Sequence, residues 1–282
     1  MGEKSLAAVF VGFDSAWTDS KKAPGAICSA RFAGDRFVDF RAPALVSFDE
    51  ALQFIKSVKQ LDLPTLVALD QPTIVPNQTG MRPVEKVVAS LISWMGGGVQ
   101  PANLGKEKMF CPDSPIWRFL EGLGAEENPE MARTAKSGLH LIEVFPALAM
   151  ASLDNNFFGM RKGPRYNPGR RKTFRIEDWS AVVAAARVEA CRFQFGALAD
   201  WLSQLGTLTR PKKADQDRLD AAICLLIAIR WRLGGRNESI ILGDLKNGYI
   251  VSAASERVRD RLVRDAITRG VAIDAPFRSF DA

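Results

Sequence analysis

The alternation of apolar and polar positions predicts strands first and helices later. Residues Leu6 to Phe13 (LAAVFVGF) form an apolar run of strand length that ends on an acid, Asp14. Ala26 to Phe32 and Arg36 to Phe40 read as two further strands, with turn material at Gly34-Asp35 between them. Three early strands joined by short turns predict an antiparallel meander. Ser47 then opens SFDE, a capping box in which Ser47 and Glu50 satisfy free backbone N–H groups. Ala51, Phe54, Ile55 and Val58 follow at helical spacing, and Thr65 to Leu69 (TLVAL) is again a strand closing on an acid, Asp70.

Residues 71–136 lose this regularity. They hold a helix from Val84 to Met95, the run Gly96-Gly97-Gly98 and a short helix around Ile116 to Leu123. The segment reads as an insertion or lid region within one domain spanning residues 1–282. Leu139 to Phe145 (LHLIEVF) is the next strand, with Glu143 inside it, and Pro146 suits the first turn of a helix. A basic loop covers about residues 157–175. One long helix is predicted from about Ile176 to Leu205. Another starts near Asp215, a candidate N-cap, and runs to about Leu233, where Gly234-Gly235 ends it. Ser239 to Gly243 and Tyr249 to Ala253 fit a hairpin around Asn247-Gly248, and Ser255 to Arg269 a charged surface helix.

Composition narrows the chemistry. With 47% hydrophobic and 25% charged residues the chain is an ordinary globular sequence, not a disordered or fibrous one. Its apolar runs are too short to span a bilayer, and Met1 to Ala30 lack a secretory-signal pattern. Four cysteines (Cys28, Cys111, Cys191, Cys224) without a CxxC pair argue against a disulfide scaffold or a cysteine zinc site and predict a cytoplasmic location. The single histidine, His140, excludes multi-histidine metal sites and reads as a packed or surface residue. Acid–base or metal chemistry must therefore rest on carboxylates. The net charge of +6 is a mild bias towards anionic partners.

Asp14, Asp70 and Glu143 share a pattern, since each lies at the end of, or within, an apolar strand. Burying unpaired carboxylates costs several kcal/mol, roughly, so three of them need basic partners or a cation. The segment KADQDRLDAAICLLIAIRW places Asp217 and Asp220 on one helix face, with Ala221, Cys224, Leu225 and Ala228 as the stripe that packs on a sheet. Taken alone, these helix acids equally suit the dipole of a helix start. With the strand acids they supply hard oxygen donors for Mg²⁺ or Mn²⁺. Carboxylates without histidine or cysteine are what two-metal phosphodiester hydrolysis uses.

The order of elements resembles the RNase H-like fold: an α/β domain whose central mixed sheet has three antiparallel N-terminal strands and flanking helices. GFDSAW, DQP with TGMRP, EVFP, DQDRLDAA and the closing GDLKNGYIVSA are similar to motifs of domain-of-unknown-function family 429, a family of predicted nucleases. The resemblance spans residues 8–253. It implies a metal-dependent site built from Asp14, Asp70, Glu143, Asp217 and Asp220; the reading adopted for that site has Asp14 bridge two ions, Asp70 and Glu143 hold one each, and Asp217 and Asp220 complete the shell. By the same resemblance Arg82, in TGMRP, would reach a phosphate near the site, with a surface charge as the alternative. Gln71 and Thr73 stand where small residues are commoner in that family, which leaves the pocket's outer shell open.

Residues 161–175 (RKGPRYNPGRRKTFR) hold seven Lys/Arg and no acid, with Tyr166 and Phe174 interleaved. Arg165, Arg170, Arg171 and Lys172 are candidate phosphate contacts for nucleic acid, and a solvated loop is the alternative. The expected function is Mg²⁺- or Mn²⁺-dependent hydrolysis of nucleic-acid phosphodiesters. Two rivals stand beside it: an ATP-dependent phosphotransferase on the actin-like, sugar-kinase core, and a nucleic-acid-binding protein without turnover. The first lacks its usual Gly-rich phosphate turn after Asp14.

Overall fold

Strict alternation along the first strand decides how the layers stack. In the computed structural model, which describes residues 7–20, 22 and 24–274, this strand is β1 (Ala8–Asp14). Leu6, expected to begin it, lies outside the described residues. The chain continues through β2 (Gly25–Ala33), β3 (Arg36–Val46), α1 (Phe48–Val58) and β4 (Thr65–Leu69). Next come α2 (Pro83–Trp94), α3 (Pro115–Leu123), α4 (Pro129–Thr134), β5 (Leu139–Glu143) and α5 (Pro146–Leu153). Then follow α6 (Ile176–Arg192), α7 (Gly196–Leu205), α8 (Lys213–Leu233), β6 (Ser239–Asp244), β7 (Gly248–Ala253) and α9 (Glu256–Arg269).

The main sheet has the order β3-β2-β1-β4-β5. The first three strands are antiparallel neighbours, while β4 runs parallel to both β1 and β5. This is the mixed α/β topology of an RNase H-like fold. The β6–β7 hairpin forms a separate antiparallel pair.

Ala8 and Phe10 point to one face with Cys28 and Ala68, against Ala221 and Leu225 of α8. Val9, Val11 and Phe13 point to the other, against Ala51 and Ile55 of α1 and Phe119 of α3. A third cluster joins Val88 and Leu91 of α2 to Ile250 of the hairpin and Leu262 of α9. The helices of residues 71–136 are therefore core elements, α3 on the sheet and α2 on the hairpin. The capping box forms as expected: Ser47 accepts from the Glu50 N–H, and Glu50 accepts from the Ser47 N–H at 2.7 Å.

Three expectations change. The long helix from Ile176 breaks between α6 and α7, where Gln194 takes a left-handed φ of 55°. The break turns Phe195 inwards to stack on Phe37, with ring centroids 4.2 Å apart, so aromatic packing outweighs helical continuity. Asp215 is not the N-cap of α8. It lies one turn inside, where its carboxylate accepts the N–H of the capping residue Lys212 at 2.8 Å. The short helix α4, opened by Asn128 and Pro129, lies where no element is predicted.

Candidate functional site

Gly12 determines where the acids of α8 land. It sits two residues before Asp14, on the face that α8 covers, and a Cβ there would collide with the backbone of Ala221 and Leu225. The missing side chain lets the helix lie directly on β1, and the Cys28 thiol on β2 closes the contact on the Ala221 carbonyl at 3.4 Å. One turn towards its N-terminus, α8 presents Asp217 and Asp220 to the end of β1.

The sheet register supplies the rest. Phe13 pairs with Leu69 and Leu69 with Glu143, so these three residues form one row across the sheet. Asp14 and Asp70 begin the next row, and the Asp70 N–H donates to the Phe13 carbonyl at 2.9 Å, which holds the two acids side by side. Beyond them the loop is fixed by the Trp17 indole N–H, which donates to the Asp70 carbonyl at 3.1 Å. Ser15 bonds the buried Gln71 amide, so Gln71 braces this loop.

Asp14, Asp70, Asp217 and Asp220 all line one cavity of about 570 Å³ at the carboxyl ends of β1 and β4. Crevices at that end of an α/β sheet are where ligands of such folds bind. The four acids perturb one another. Burial pushes the Asp14 carboxyl well above the carboxylate range, and the charges of Asp220 and Asp70 push it further. Asp70 is raised in the same way by burial, then by Asp220 and Glu143. Asp220 is raised to about 6, chiefly by burial, although the Tyr166 hydroxyl donates to it at 2.8 Å and the Gln216 amide bonds it too. Asp217 is also raised by burial, against a salt bridge from Lys213 and a hydrogen bond shared with Asp14. Burial works to lower the pKa of Lys213, but Asp14, Asp217 and Asp220 hold it above the lysine range.

Glu143 stands apart. The pleat sends it to the side of Leu141 rather than Ile142, away from the face of Asp14. There it accepts two hydrogen bonds from Arg82, at 2.9 and 2.5 Å, and one from the Thr73 N–H at 3.0 Å. It does not line the cavity with the four aspartates. Arg82 is only 1% exposed and also bonds Glu85 and the Ile74 carbonyl. The expectation that it faces a phosphate is not met by this placement, since its guanidinium is spent on buried partners that satisfy a charge taken out of water. Glu127, which sequence reasoning passed over, joins this network through the Thr73 hydroxyl. Burial raises it to about 7, with Glu143 adding to the effect. His140 is buried and bonds the Ser137 carbonyl at 2.9 Å, a packed histidine.

The basic segment is pinned rather than loose. Its Arg161 and Gly163 N–H groups donate to the Trp94 and Met95 carbonyls at the end of α2, both at 2.9 Å. The Arg165 N–H donates to Asp178 at 2.7 Å, and Tyr166 reaches Asp220. This course brings Arg165 and Arg170 to the cavity rim. Arg171 and Lys172 are exposed and do not line it. Lys213 and Gln216 are further cavity residues that sequence reasoning missed; each lies one helical turn before an acid it bonds, a spacing visible in the sequence.

The chain belongs to the DUF429 family. The model described as "Protein of unknown function (DUF429)" matches residues 12–244, from the glycine that seats α8 to the end of β6. No curated protein and no solved structure matches the chain. For this DUF429 protein, no helix among the described residues is long and apolar enough to cross a membrane.

Among the described residues no three His, Cys, Asp or Glu side chains are arranged to hold a metal ion as they stand. Lys213 holds Asp217, while Tyr166 and Gln216 hold Asp220. The donor set nevertheless fits a divalent cation in its chemistry. It is all hard oxygen, and burial, with repulsion among the acids added to it, raises the Asp14 and Asp70 carboxyls despite the Lys213 ammonium.

Proposed function

We propose that this DUF429 protein is a metal-dependent nuclease that hydrolyses nucleic-acid phosphodiester bonds. The observation that carries this reading is the convergence of Asp14, Asp70, Asp217 and Asp220 on one solvent-reachable cavity. These four residues would hold Mg²⁺ or Mn²⁺, with Lys213 released from Asp217. When bound, the cation would supply Lewis acidity towards a phosphate oxygen and make water a better nucleophile.

The chain's own groups supply the remainder. Arg165 and Arg170 at the rim offer positive charge to flanking phosphates, as does the half-exposed Lys213 ammonium. Tyr166 fixes the rotamer of Asp220 by its hydrogen bond. The Arg82–Glu143 pair ties the end of β5 to the start of α2, so in this reading Glu143 supports the site instead of ligating in it.

The test incubates the purified protein with end-labelled single- and double-stranded DNA and RNA in Mg²⁺, Mn²⁺ or chelator. Metal-dependent cleavage that Asp14→Asn abolishes supports the reading. Absence of cleavage with all four substrates, or equal cleavage by Asp14→Asn, refutes it. ATP-dependent phosphate transfer in the same preparation would favour the phosphotransferase instead.

A further inference from the structure

The cavity is larger than the carboxylates need, and part of its lining has a different character. Phe145 and Ala147 at the start of α5 line it with part-exposed apolar surface, backed by Ile92 and Met95 of α2 and Met150 of α5, which are nearly buried. This apolar lining is joined to the basic rim by the backbone bonds of Arg161 and Gly163 onto α2. Within about 570 Å³ one ligand can therefore meet the acids, Arg165 and Arg170, and apolar side chains together. That volume lies within the range of compact-ligand pockets. The backbone of an intact duplex has no use for an apolar wall beside the scissile phosphate, because its bases stay stacked. A nucleotide out of its stack has one, since its planar base must be covered once it leaves its neighbours.

We propose that this apolar part is a base-binding subsite that takes a single unstacked nucleotide, which makes single-stranded or extruded nucleotides the substrate class. The inference rests on the nuclease reading for its chemistry but not for its binding. Gly98 gives direct access to it. This residue lines the cavity, is not among the glycines with positive φ, and a Cβ built on it meets nothing within 4 Å. Gly98→Phe or Gly98→Leu would add apolar bulk at this lining position while leaving every carboxylate in place.

The experiment is calorimetric titration of the full chain, with Mn²⁺ present, by adenosine 5′-monophosphate and by ribose 5-phosphate. The two probes share the phosphate and sugar and differ by the base. The nucleotide is expected to bind about tenfold tighter or more, in line with the stacking energy of one base. Gly98→Phe and Gly98→Leu should remove that advantage while the Mn²⁺-induced rise in melting temperature stays as in the parent. Equal affinity for the two probes overturns the subsite, as does undiminished nucleotide preference in folded Gly98 variants. The two readings fail separately. Selective nucleotide binding without cleavage of any nucleic acid keeps the subsite and removes the nuclease. Equal cleavage of single strands and duplexes with no base preference keeps the nuclease and removes the subsite.

Discussion

Replacing Asp220 by Asn should stabilise the metal-free protein at neutral pH. Asp220 is buried and its carboxyl is raised from the ordinary 3.8 to about 6. Between those two values the native state keeps a proton that the unfolded chain has already released. Stability therefore falls as pH rises through this window and stays reduced above it. At about 1.4 kcal/mol per tenfold in proton affinity, the gap corresponds to roughly 3 kcal/mol of folded-state penalty at pH 7. Asn carries no charge and still accepts the hydrogen bond of Tyr166, but it loses one acceptor that Gln216 uses, a cost of about 1 kcal/mol. The net gain is about 2 kcal/mol, or roughly 4–8 °C in melting temperature for a chain of this size.

The assay is thermal unfolding in chelator at pH 7.5 and pH 4, followed by the same scans with Mn²⁺. Asp220→Asn should melt above the parent at pH 7.5 and level with it or slightly below at pH 4. Metal at a hundred times its dissociation constant would stabilise the parent by about 2.7 kcal/mol, and this response should shrink in the variant. A variant that melts below the parent at pH 7.5 in chelator would refute the claim that the buried Asp220 charge destabilises the metal-free fold. An undiminished metal response would refute ligation by Asp220.

Three further outcomes follow from the same geometry. Arg82→Met should leave Glu143 buried without its cation and cost about 3–5 kcal/mol, read by urea unfolding; a loss under 1 kcal/mol would mean that the pair does not tie β5 to α2. Gly12→Ala should push α8 off β1, costing about 1–3 kcal/mol or more and removing the metal-induced melting shift, so an unchanged shift would show that the acids do not depend on this contact. Arg165→Ala with Arg170→Ala should lower the log-log salt slope of oligonucleotide binding by about 0.7–0.9 per lost phosphate contact. Arg171→Ala with Lys172→Ala should lower it less, and fluorescence anisotropy at several salt concentrations separates the two pairs.

The strands and the paired helix acids were legible because period-two and period-three-to-four patterns are local. Thr65–Leu69 was read to the residue, and Asp217 with Asp220 follows from helical spacing alone. Even the split of α6 from α7 had a cue, in the aromatic pair Phe193 and Phe195 flanking Gln194 before Gly196. Its decisive partner, Phe37 on a strand far away in sequence, had none.

Glu143 shows where local reading ends. VALD on β4 and LIE on β5 look alike in sequence, each an apolar run closing on an acid. In the sheet, however, Glu143 pairs with Leu69 and not with Asp70. A register offset of one residue reverses the face to which a side chain points. That offset separates an acid on the face of Asp14 from one that needs its own counterion, and Arg82 is that counterion. The same residue that looked like a phosphate contact is thus consumed by the acid that looked like a ligand. The two corrections have one physical cause, and their effect is to leave four aspartates lining the cavity. Only the sequence interval between Asp14 and α8 hides how Gly12 brings them together, because a missing side chain carries no pattern of its own until the helix that uses the space is in place.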